Sequence, residues 1–363
     1  MLGNGVINNM KRSLILTSLI VAATASHAQF IKHSTVYNLG ADFSGTGAQR
    51  VSDLAVIGND IYYVGRATVA GGSATLGKVT GYKTATSGAN VAALGTSVLN
   101  RGTRLEAYNG NLFFGLNMGD ATTHNIQYIT TGGALITGGA GVLSDGIITQ
   151  AENGNNLLQG MAIDTSGAFG AGPLVGGVQL GSGGFKSINV TTGAISNVNP
   201  GAGPSGNRRD ISFFNNGDYV LNQDGVIRLV ARTGASSAGV PGTQLGTTGG
   251  SGSFATVGTI NALPFVNSNM IIYNQTTSGV NIVDTSGTLM QSLNGSEGGS
   301  LAWGVNQLNY KSWNDGVFTW LAVSGWDSSL GNRIDIYRTA VPEPGTMAAL
   351  GLGALAMMRR RKK

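Results

Sequence analysis

Four polar residues stand at regular intervals along the chain, each just before the first apolar residue of a strand-like run. They are Asp53, Arg104, Asp210 and Asn261, and the intervals between them are 51, 106 and 51 residues. Carboxylates that a fold brings together can bind a divalent cation or transfer a proton. Arg104 would oppose a bound cation. The sequence favours the alternative, a solvated ring of hydrogen-bonded side chains without a metal, because isolated polar residues at strand ends are usually exposed.

Other motifs that can carry catalysis are better explained as turns and loops. Residues 201–206 match G-x-G-x-x-G, but they lead into the strand-like run ISFF, whereas a dinucleotide site requires a helix there. No G-x-S-x-G occurs, and neither His33 nor His124 belongs to an H-E-x-x-H pattern. The identical DTSG segments at 164–167 and 284–287 lack the further acidic positions of a calcium loop and are predicted to be Asx turns. The sequence therefore predicts no catalytic residue, no metal site and no cofactor, and it favours a protein that is not an enzyme.

The tryptophans form a second candidate site. All four lie between residues 303 and 326, and Trp313 stands beside a turn at 314–316. An indole near the surface can stack on a sugar ring, so Trp313 is a candidate for glycan stacking. The strand around Trp320 is apolar on both faces, however, and this pattern favours packing inside the last repeat unit.

Repeated hairpins must position these residues, and two sets of turns recur along the chain. One set has Thr or Ser before Gly, as in NIVDTSGTLM at 281–290. The other set centres on six small residues: Gly58, Gly110, Gly167, Gly217, Ser268 and Gly316. Their intervals are 52, 57, 50, 51 and 48 residues. Each unit then holds two hairpins, hence four strands, and six such units at this period are typical of a β-propeller.

The predicted fold class is all-β, a propeller of six four-stranded blades. Runs such as IYYV at 61–64 are apolar on both faces, so each sheet must be covered on both sides. The last unit is one strand short after residue 338, and the stretch 30–40 has no partner, so we expect this N-terminal strand to close the ring. A seven-bladed or irregular propeller and a β-sandwich are the alternatives. In a propeller the four polar residues converge on one mouth of the central channel, where metal-dependent lactonase-like propellers hold their ions.

The amino-terminal residues have the three parts of a signal peptide. Lys11 and Arg12 precede the apolar run 14–23, and a small-x-small cleavage site ends at Ala28. Residues 1–28 are therefore predicted to be removed by signal peptidase. Because an exported chain without cysteine has no disulfides, burial must stabilise the body at 29–340.

The carboxyl-terminal residues combine three features in a fixed order. Pro342, Glu343 and Pro344 come first, an uncharged run at 347–358 follows, and a basic end contains Arg359, Arg360 and Arg361. This order resembles the PEP-CTERM sorting signal. The resemblance implies that exosortase, a membrane protease, recognises the segment 341–363 and removes it during export. The apolar run is shorter than the ~20 residues of a standard transmembrane helix, which suits a transient membrane anchor. An ordinary single-pass anchor is the alternative.

Net charge argues against one class of partner. The precursor carries +5, but removal of the signal peptide and the tail leaves 15 basic and 16 acidic residues. A body near −1 gives no electrostatic support for nucleic-acid binding. The sequence thus predicts an exported, glycine-rich propeller at the cell surface or in the extracellular matrix, acting as a binding or structural module associated with exopolysaccharide. The alternative is a propeller hydrolase or lyase with its site at the channel mouth.

Overall fold

A computed structural model describes residues 29–44, 49–66, 73–96, 103–116, 124–136, 147–149, 158–166, 174–178, 185–189, 195–198, 208–223, 225–231, 243–247, 257–261, 268–275, 279–299, 303, 308–327 and 331–339. The predicted signal peptide, the loop at 201–206 and the sorting tail with its apolar run at 347–358 lie outside these residues. Within the described part of the chain, no helix is long and apolar enough to cross a membrane.

The described residues form 24 β-strands in six four-stranded sheets. The first sheet contains β2 (Arg50–Ile57), β3 (Asp60–Arg66), β4 (Ser73–Val79) and β5 (Ala89–Thr96). The second contains β6 (Thr103–Tyr108), β7 (Asn111–Leu116), β8 (His124–Ile129) and β9 (Ile147–Thr149). The third contains β10 (Leu158–Ile163), β11 (Leu174–Val178), β12 (Phe185–Ile188) and β13 (Ile195–Val198).

The remaining three sheets continue the same order along the chain. The fourth contains β14 (Arg208–Phe213), β15 (Tyr219–Gln223), β16 (Val226–Val230) and β17 (Thr243–Thr247). The fifth contains β18 (Val257–Ile260), β19 (Met270–Gln275), β20 (Gly279–Asp284) and β21 (Leu289–Leu293). The sixth combines β22 (Asn309–Asn314), β23 (Thr319–Asp327) and β24 (Gly331–Thr339) with the N-terminal strand β1 (Phe30–Val36). Short 3-10 turns occur at Ala41–Phe43 and Glu297–Gly299.

The first strands of the sheets surround a common axis. β2 contacts β6, β6 contacts β10, and the contacts continue through β14, β18 and β22 back to β2. A closed ring of antiparallel four-stranded sheets is a β-propeller, and it excludes two sheets packed face to face as in a sandwich. The prediction of an all-β propeller is confirmed.

Apolar residues on both faces of each strand fill the spaces between neighbouring sheets. Tyr63 packs with Leu54 and Ile334 in the cluster between the sixth and first sheets. Its neighbour Tyr62 points the other way and packs with Leu105 and Phe114 of the second sheet. Successive strand residues face opposite sides, so one buried strand stabilises two interfaces.

The N-terminal strand closes the ring, as the sequence predicted. β1 pairs antiparallel with β24, from Phe30 opposite Thr339 to Val36 opposite Ile334. Phe30 and Val36 are buried, whereas Ile31 between them is 43% exposed. The pairing covers the edge of β24, which would otherwise present unpaired backbone groups to other chains.

A buried network of charged and polar groups fastens this closure. One oxygen of Asp335 lies 2.9 Å from Lys32 Nζ and accepts a 2.6 Å hydrogen bond from Thr35 Oγ1. The other oxygen lies 3.0 Å from Arg333 Nε and accepts a hydrogen bond from Trp303 Nε1. Both Arg333 and Asp335 have no exposed surface. Since each carboxylate oxygen receives two donors, the buried negative charge is fully solvated by the protein.

Turns occupy the positions that the sequence predicted for them wherever they are described. Gly217 and Gly316 adopt φ of 89°, a conformation that glycine reaches without steric cost. Asp164 Oδ1 accepts a hydrogen bond from the backbone N–H of Ser166 at 2.9 Å, and Asp284 accepts the equivalent bond from Ser286 at 2.8 Å. The prediction that both DTSG segments form Asx turns is confirmed.

Candidate functional site

A partly open cavity of about 170 Å³ lies among the inner strands of the propeller. The four polar residues that the sequence singled out all contribute to its wall: Asp53, Arg104, Asp210 and Asn261. Glu106, Ser212, Thr259, Tyr310, Lys311 and Ser312 also line it. The ring of first strands therefore brings together side chains that lie as far apart in the chain as β2 and β22.

Two aspartates join neighbouring inner strands. Asp53 of β2 accepts a 2.9 Å hydrogen bond from the backbone N–H of Leu105 in β6. Asp210 of β14 accepts the corresponding bond from Val257 in β18, also at 2.9 Å. The strand register shifts just before each aspartate, between Val51 and Asp53 in β2 and at the equivalent point in β14. A bulge at this point can turn the carboxylate from the sheet face towards the next blade.

Asn261 occupies a different place from the one that its spacing predicted. It follows the last residue of β18, and its Oδ1 accepts a 2.7 Å hydrogen bond from the backbone N–H of Asn215. Val257, four positions earlier, is the residue that receives Asp210. Asn261 thus lines the cavity near the end of its strand. Loop lengths between blades vary, so an equal sequence interval does not guarantee an equivalent position in the fold.

The expectation of a solvent-exposed rim is wrong for two of the four residues. Arg104 is 4% exposed and Asp210 is 6% exposed. Arg104 Nη1 donates to the carbonyl of Ser52 at 3.5 Å. The inner strands converge on the axis, so residues that sit at a strand end in the sequence come to face one another in the centre of the molecule.

Two further charged residues of the cavity were not predicted from the sequence. Lys311 Nζ lies 2.7 Å and 2.6 Å from the two carboxylate oxygens of Glu106. Signals for both exist in the sequence, since Glu106 lies two residues after Arg104, on the same strand face, and Lys311 follows Asn261 by 50 residues, about one repeat. Neither residue precedes the first apolar residue of its strand, which is the position that the sequence pattern singles out.

Burial sets the protonation of the cavity carboxylates. It raises the pKa of Asp53, Glu106 and Asp210, because a charged carboxylate is poorly solvated there, and Arg104 opposes part of the effect. Asp210 is affected strongly, and its pKa rises to about 7. Burial disfavours the Lys311 ammonium, but Glu106, Asp53 and Asp210 together outweigh this effect and raise the pKa of Lys311.

The pKa of Asp210 predicts a loss of stability with rising pH. Between pH 4 and 7 the folded protein keeps the proton that the unfolded chain releases, so the free energy of unfolding falls by up to about 1.4 kcal/mol per pH unit and levels off above 7. We expect Asp210→Asn to flatten this part of the profile and to be more stable than the wild type at pH 8. Urea unfolding followed by tryptophan fluorescence from pH 5 to 8 measures both effects.

Asp218→Asn is the matched control, because Asp218 lies at a turn of the same sheet and pairs with Asn216. Asp218→Asn should show the same decrease in the free energy of unfolding with pH as the wild type. If the stability of Asp210→Asn changed with pH in parallel with that of the wild type, the pH dependence could not be assigned to Asp210.

Hydroxyl groups also hold the backbone of the strands that line the cavity. Thr259 Oγ1 donates to the carbonyl of Phe213 at 2.7 Å and lies 3.0 Å from Ser212 Oγ. Ser312 Oγ donates to the carbonyl of Thr259 at 2.6 Å. These bonds connect β14, β18 and β22, so the hydroxyl oxygens face the cavity from rigid strands.

Trp313 and Trp320 lie between the sixth and first sheets, whereas Trp303 packs in a different cluster. Trp313 stacks on Trp320 with ring centroids 6.4 Å apart and 12° between planes, and Tyr82 contacts Trp313 edge-on at 4.9 Å. Trp320 is 2% exposed, and Trp313 packs against the same cluster as a partly buried residue. Neither lines the axial cavity. These contacts favour packing, and glycan stacking by Trp313 stays a prediction.

Substitution of the two tryptophans separates packing from ligand stacking. Trp320→Ala should lower the free energy of unfolding by about 3 to 5 kcal/mol, because it empties a buried aromatic site. Trp313→Ala should cost less, since Trp313 is only partly buried. Urea unfolding gives both values, and a fluorescence titration with host exopolysaccharide tests stacking. A response that Trp313→Ala abolishes without loss of stability would support stacking.

Comparison with known proteins identifies a motif at the chain end. The model of the PEP-CTERM protein-sorting motif matches residues 340–362. A search of curated proteins gave no match. Among solved structures, the luciferin-regenerating enzyme is 10% identical and has a TM-score of 0.48, with 85% of this chain and 96% of that chain covered. YCF48 from Cyanidioschyzon merolae is 9% identical, with a TM-score of 0.45 and coverages of 85% and 95%. A putative 6-phosphogluconolactonase from Bacteroides fragilis is 15% identical, with a TM-score of 0.41 and coverages of 78% and 82%.

The sheet arrangement defines the chain as a β-propeller with an axial polar cavity. The sorting motif adds its destination, since it indicates an exported protein that exosortase processes and sorts to the cell surface or the extracellular space.

Proposed function

We propose that this protein is an extracellular binding module whose axial cavity holds a sugar unit of an exopolysaccharide. The observation that carries the proposal is the wall of the cavity, where donors and acceptors face one space from neighbouring rigid strands. Arg104 and Lys311 supply N–H donors, and Asp53, Asp210 and Asn261 supply oxygen acceptors. A few convergent polar groups in a preformed concave site are typical of small-ligand recognition, and a sugar carries hydroxyls that both donate and accept.

The size of the cavity supports a single ring as the ligand unit. A cavity of about 150 Å³ in another protein accommodates benzene, so about 170 Å³ accommodates one six-membered ring. Tyr310 and Phe213 line the same space and offer aromatic surface to a sugar ring. Among the described residues, no three His, Cys, Asp or Glu side chains are placed to hold a metal ion, so the proposal includes none.

Binding is tested with the exported protein and exopolysaccharide from the host. We expect the two to co-sediment, and we expect Arg104→Met to reduce the bound fraction at least tenfold. Lys83→Met is the control, because Lys83 is a surface lysine paired with Asp315, and it should bind like the wild type. Equal binding by Arg104→Met, with its fold intact by circular dichroism, would place the ligand elsewhere. No binding by any form would contradict the proposed function.

A hydrolase or lyase is the second candidate, and one observation favours it. Asp210 lies in the cavity with a pKa raised by burial to about 7, which suits a general acid or base at neutral pH. The test is incubation of the exported protein with host exopolysaccharide, followed by assays for new reducing ends and for unsaturated sugar products. Products that Asp210→Asn fails to form would establish catalysis, and their absence with the wild type would exclude it for this polymer.

Processing at both ends is part of the proposal, including signal peptidase as the enzyme at Ala28 and transient anchoring by the segment 347–358. Intact mass of the exported protein should show loss of residues 1–28 and cleavage near Pro342. Replacement of Pro342 and Glu343 by alanine should leave the tail attached and hold the protein in the membrane fraction. Retention of Lys363 on most wild-type molecules at the surface would contradict removal of the tail.

A further inference from the structure

The charges that line the axial cavity do not balance within the described residues. Glu106 and Lys311 form a close pair through both carboxylate oxygens, at 2.7 Å and 2.6 Å, and cancel. Asp53, Asp210 and Arg104 remain, so the wall carries one excess negative charge when every group is ionised.

Neither remaining aspartate forms an ion pair within 4.0 Å in the described part of the chain. Both oxygens of Asp53 accept backbone N–H groups, from Leu54 at 2.8 Å and Leu105 at 2.9 Å. Asp210 accepts backbone hydrogen bonds from Val257, through Oδ2, and from Ile211, and it is 6% exposed. The positive charges of Arg104 and Lys311 attract the Asp210 carboxylate, and the negative charge of Asp53 repels it.

A buried carboxylate with no counter-ion in direct contact is unfavourable, so it is either protonated or neutralised by a cation. We propose that the cavity selects an amino sugar, whose ring carries a primary ammonium that pairs with Asp210. This inference rests on the proposed function. The ammonium is compact and has three donors, while the ring hydroxyls match Ser212, Thr259 and Ser312. A lysine side chain from a protein partner would place an aliphatic stem against these hydroxyls instead.

The test compares glucosamine with glucose, which differ by an ammonium in place of one hydroxyl. Isothermal titration calorimetry of the exported protein at pH 7 should give at least tenfold tighter binding of glucosamine. Asp210→Asn should bind both sugars with equal affinity, and Asp218→Asn should retain the wild-type preference. A carboxylate that is protonated when free and ionised when paired also releases a proton on binding.

Proton release provides a readout that a purely structural role of Asp210 would not change. Titrations at pH 6.5 in two buffers of different ionisation enthalpy should show release of up to one proton with glucosamine and none with glucose. Equal affinities for the two sugars would overturn the amino-sugar proposal while leaving a sugar-binding module intact. Failure of both sugars to bind, together with co-sedimentation that Arg104→Met reduces, would also overturn it without affecting the proposed function.

Discussion

Deletion of strand β1, residues 30–36, is expected to lower the melting temperature of the propeller by more than about 10 °C. The deletion removes the buried side chains of Phe30 and Val36, each worth about 1.5 to 3 kcal/mol, and the ion pair of Lys32 with Asp335. It also uncovers the nine-residue edge of β24, which should promote aggregation. Circular dichroism melting and size-exclusion chromatography measure the two effects.

Single substitutions on the same strand provide the matched comparison. Phe30→Ala should cost about 3 to 5 kcal/mol, because Phe30 is 2% exposed. Ile31→Ala should cost less than about 1 kcal/mol, because Ile31 is 43% exposed on the outer face. A peptide of residues 29–40 added to the truncated protein should restore part of the lost stability. An unchanged melting temperature after the deletion would show that β1 does not close the ring.

Asp335→Asn is expected to lower the free energy of unfolding by about 3 to 5 kcal/mol, since it leaves buried cations without their anion. The carboxylate meets Lys32 at 2.9 Å and Arg333 at 3.0 Å, and all three groups are buried. The asparagine amide would also direct N–H groups at donors such as Trp303 Nε1. Urea unfolding at neutral pH measures the loss.

Asp315→Asn is the control, because Asp315 pairs with Lys83 at 2.6 Å but that lysine is 48% exposed. A surface pair of this kind contributes less than about 1 kcal/mol. A triple variant, Lys32→Met, Arg333→Met and Asp335→Leu, should recover part of the stability by removing the charges together. If Asp335→Asn cost no more than Asp315→Asn, the network would have no role in closing the ring.

The repeat period, together with the local sequence of each unit, was sufficient to predict much of the fold. Turn glycines such as Gly217 and Gly316 are local signals, because positive φ is a property of a single residue and its two neighbours. Apolar residues on both strand faces, as at Tyr62 and Tyr63, further required a sheet on either side. The missing strand of the last unit then identified β1 as its partner, since an open ring would leave an edge exposed.

The sequence also determined the destination of the protein, because sorting signals are read as short linear segments. The motif at 340–362 is recognised by its own residues, without reference to the body. The sequence located part of the cavity wall too, since equal spacing along a repeat carried Asp53, Arg104 and Asp210 to one axis.

Only the tertiary structure decided how these residues are arranged. The bulges before Asp53 and Asp210 direct the carboxylates to the next blade, and a register shift depends on the partner strand. The pairing of Glu106 with Lys311 joins residues 205 positions apart, and the hydrogen bond from Trp303 to Asp335 joins residues 32 positions apart. The sequence therefore brought Asp53, Arg104 and Asp210 to the axis. Their burial, their partners and the excess negative charge arise only when six sheets surround one space, because each depends on the distance between side chains from different blades.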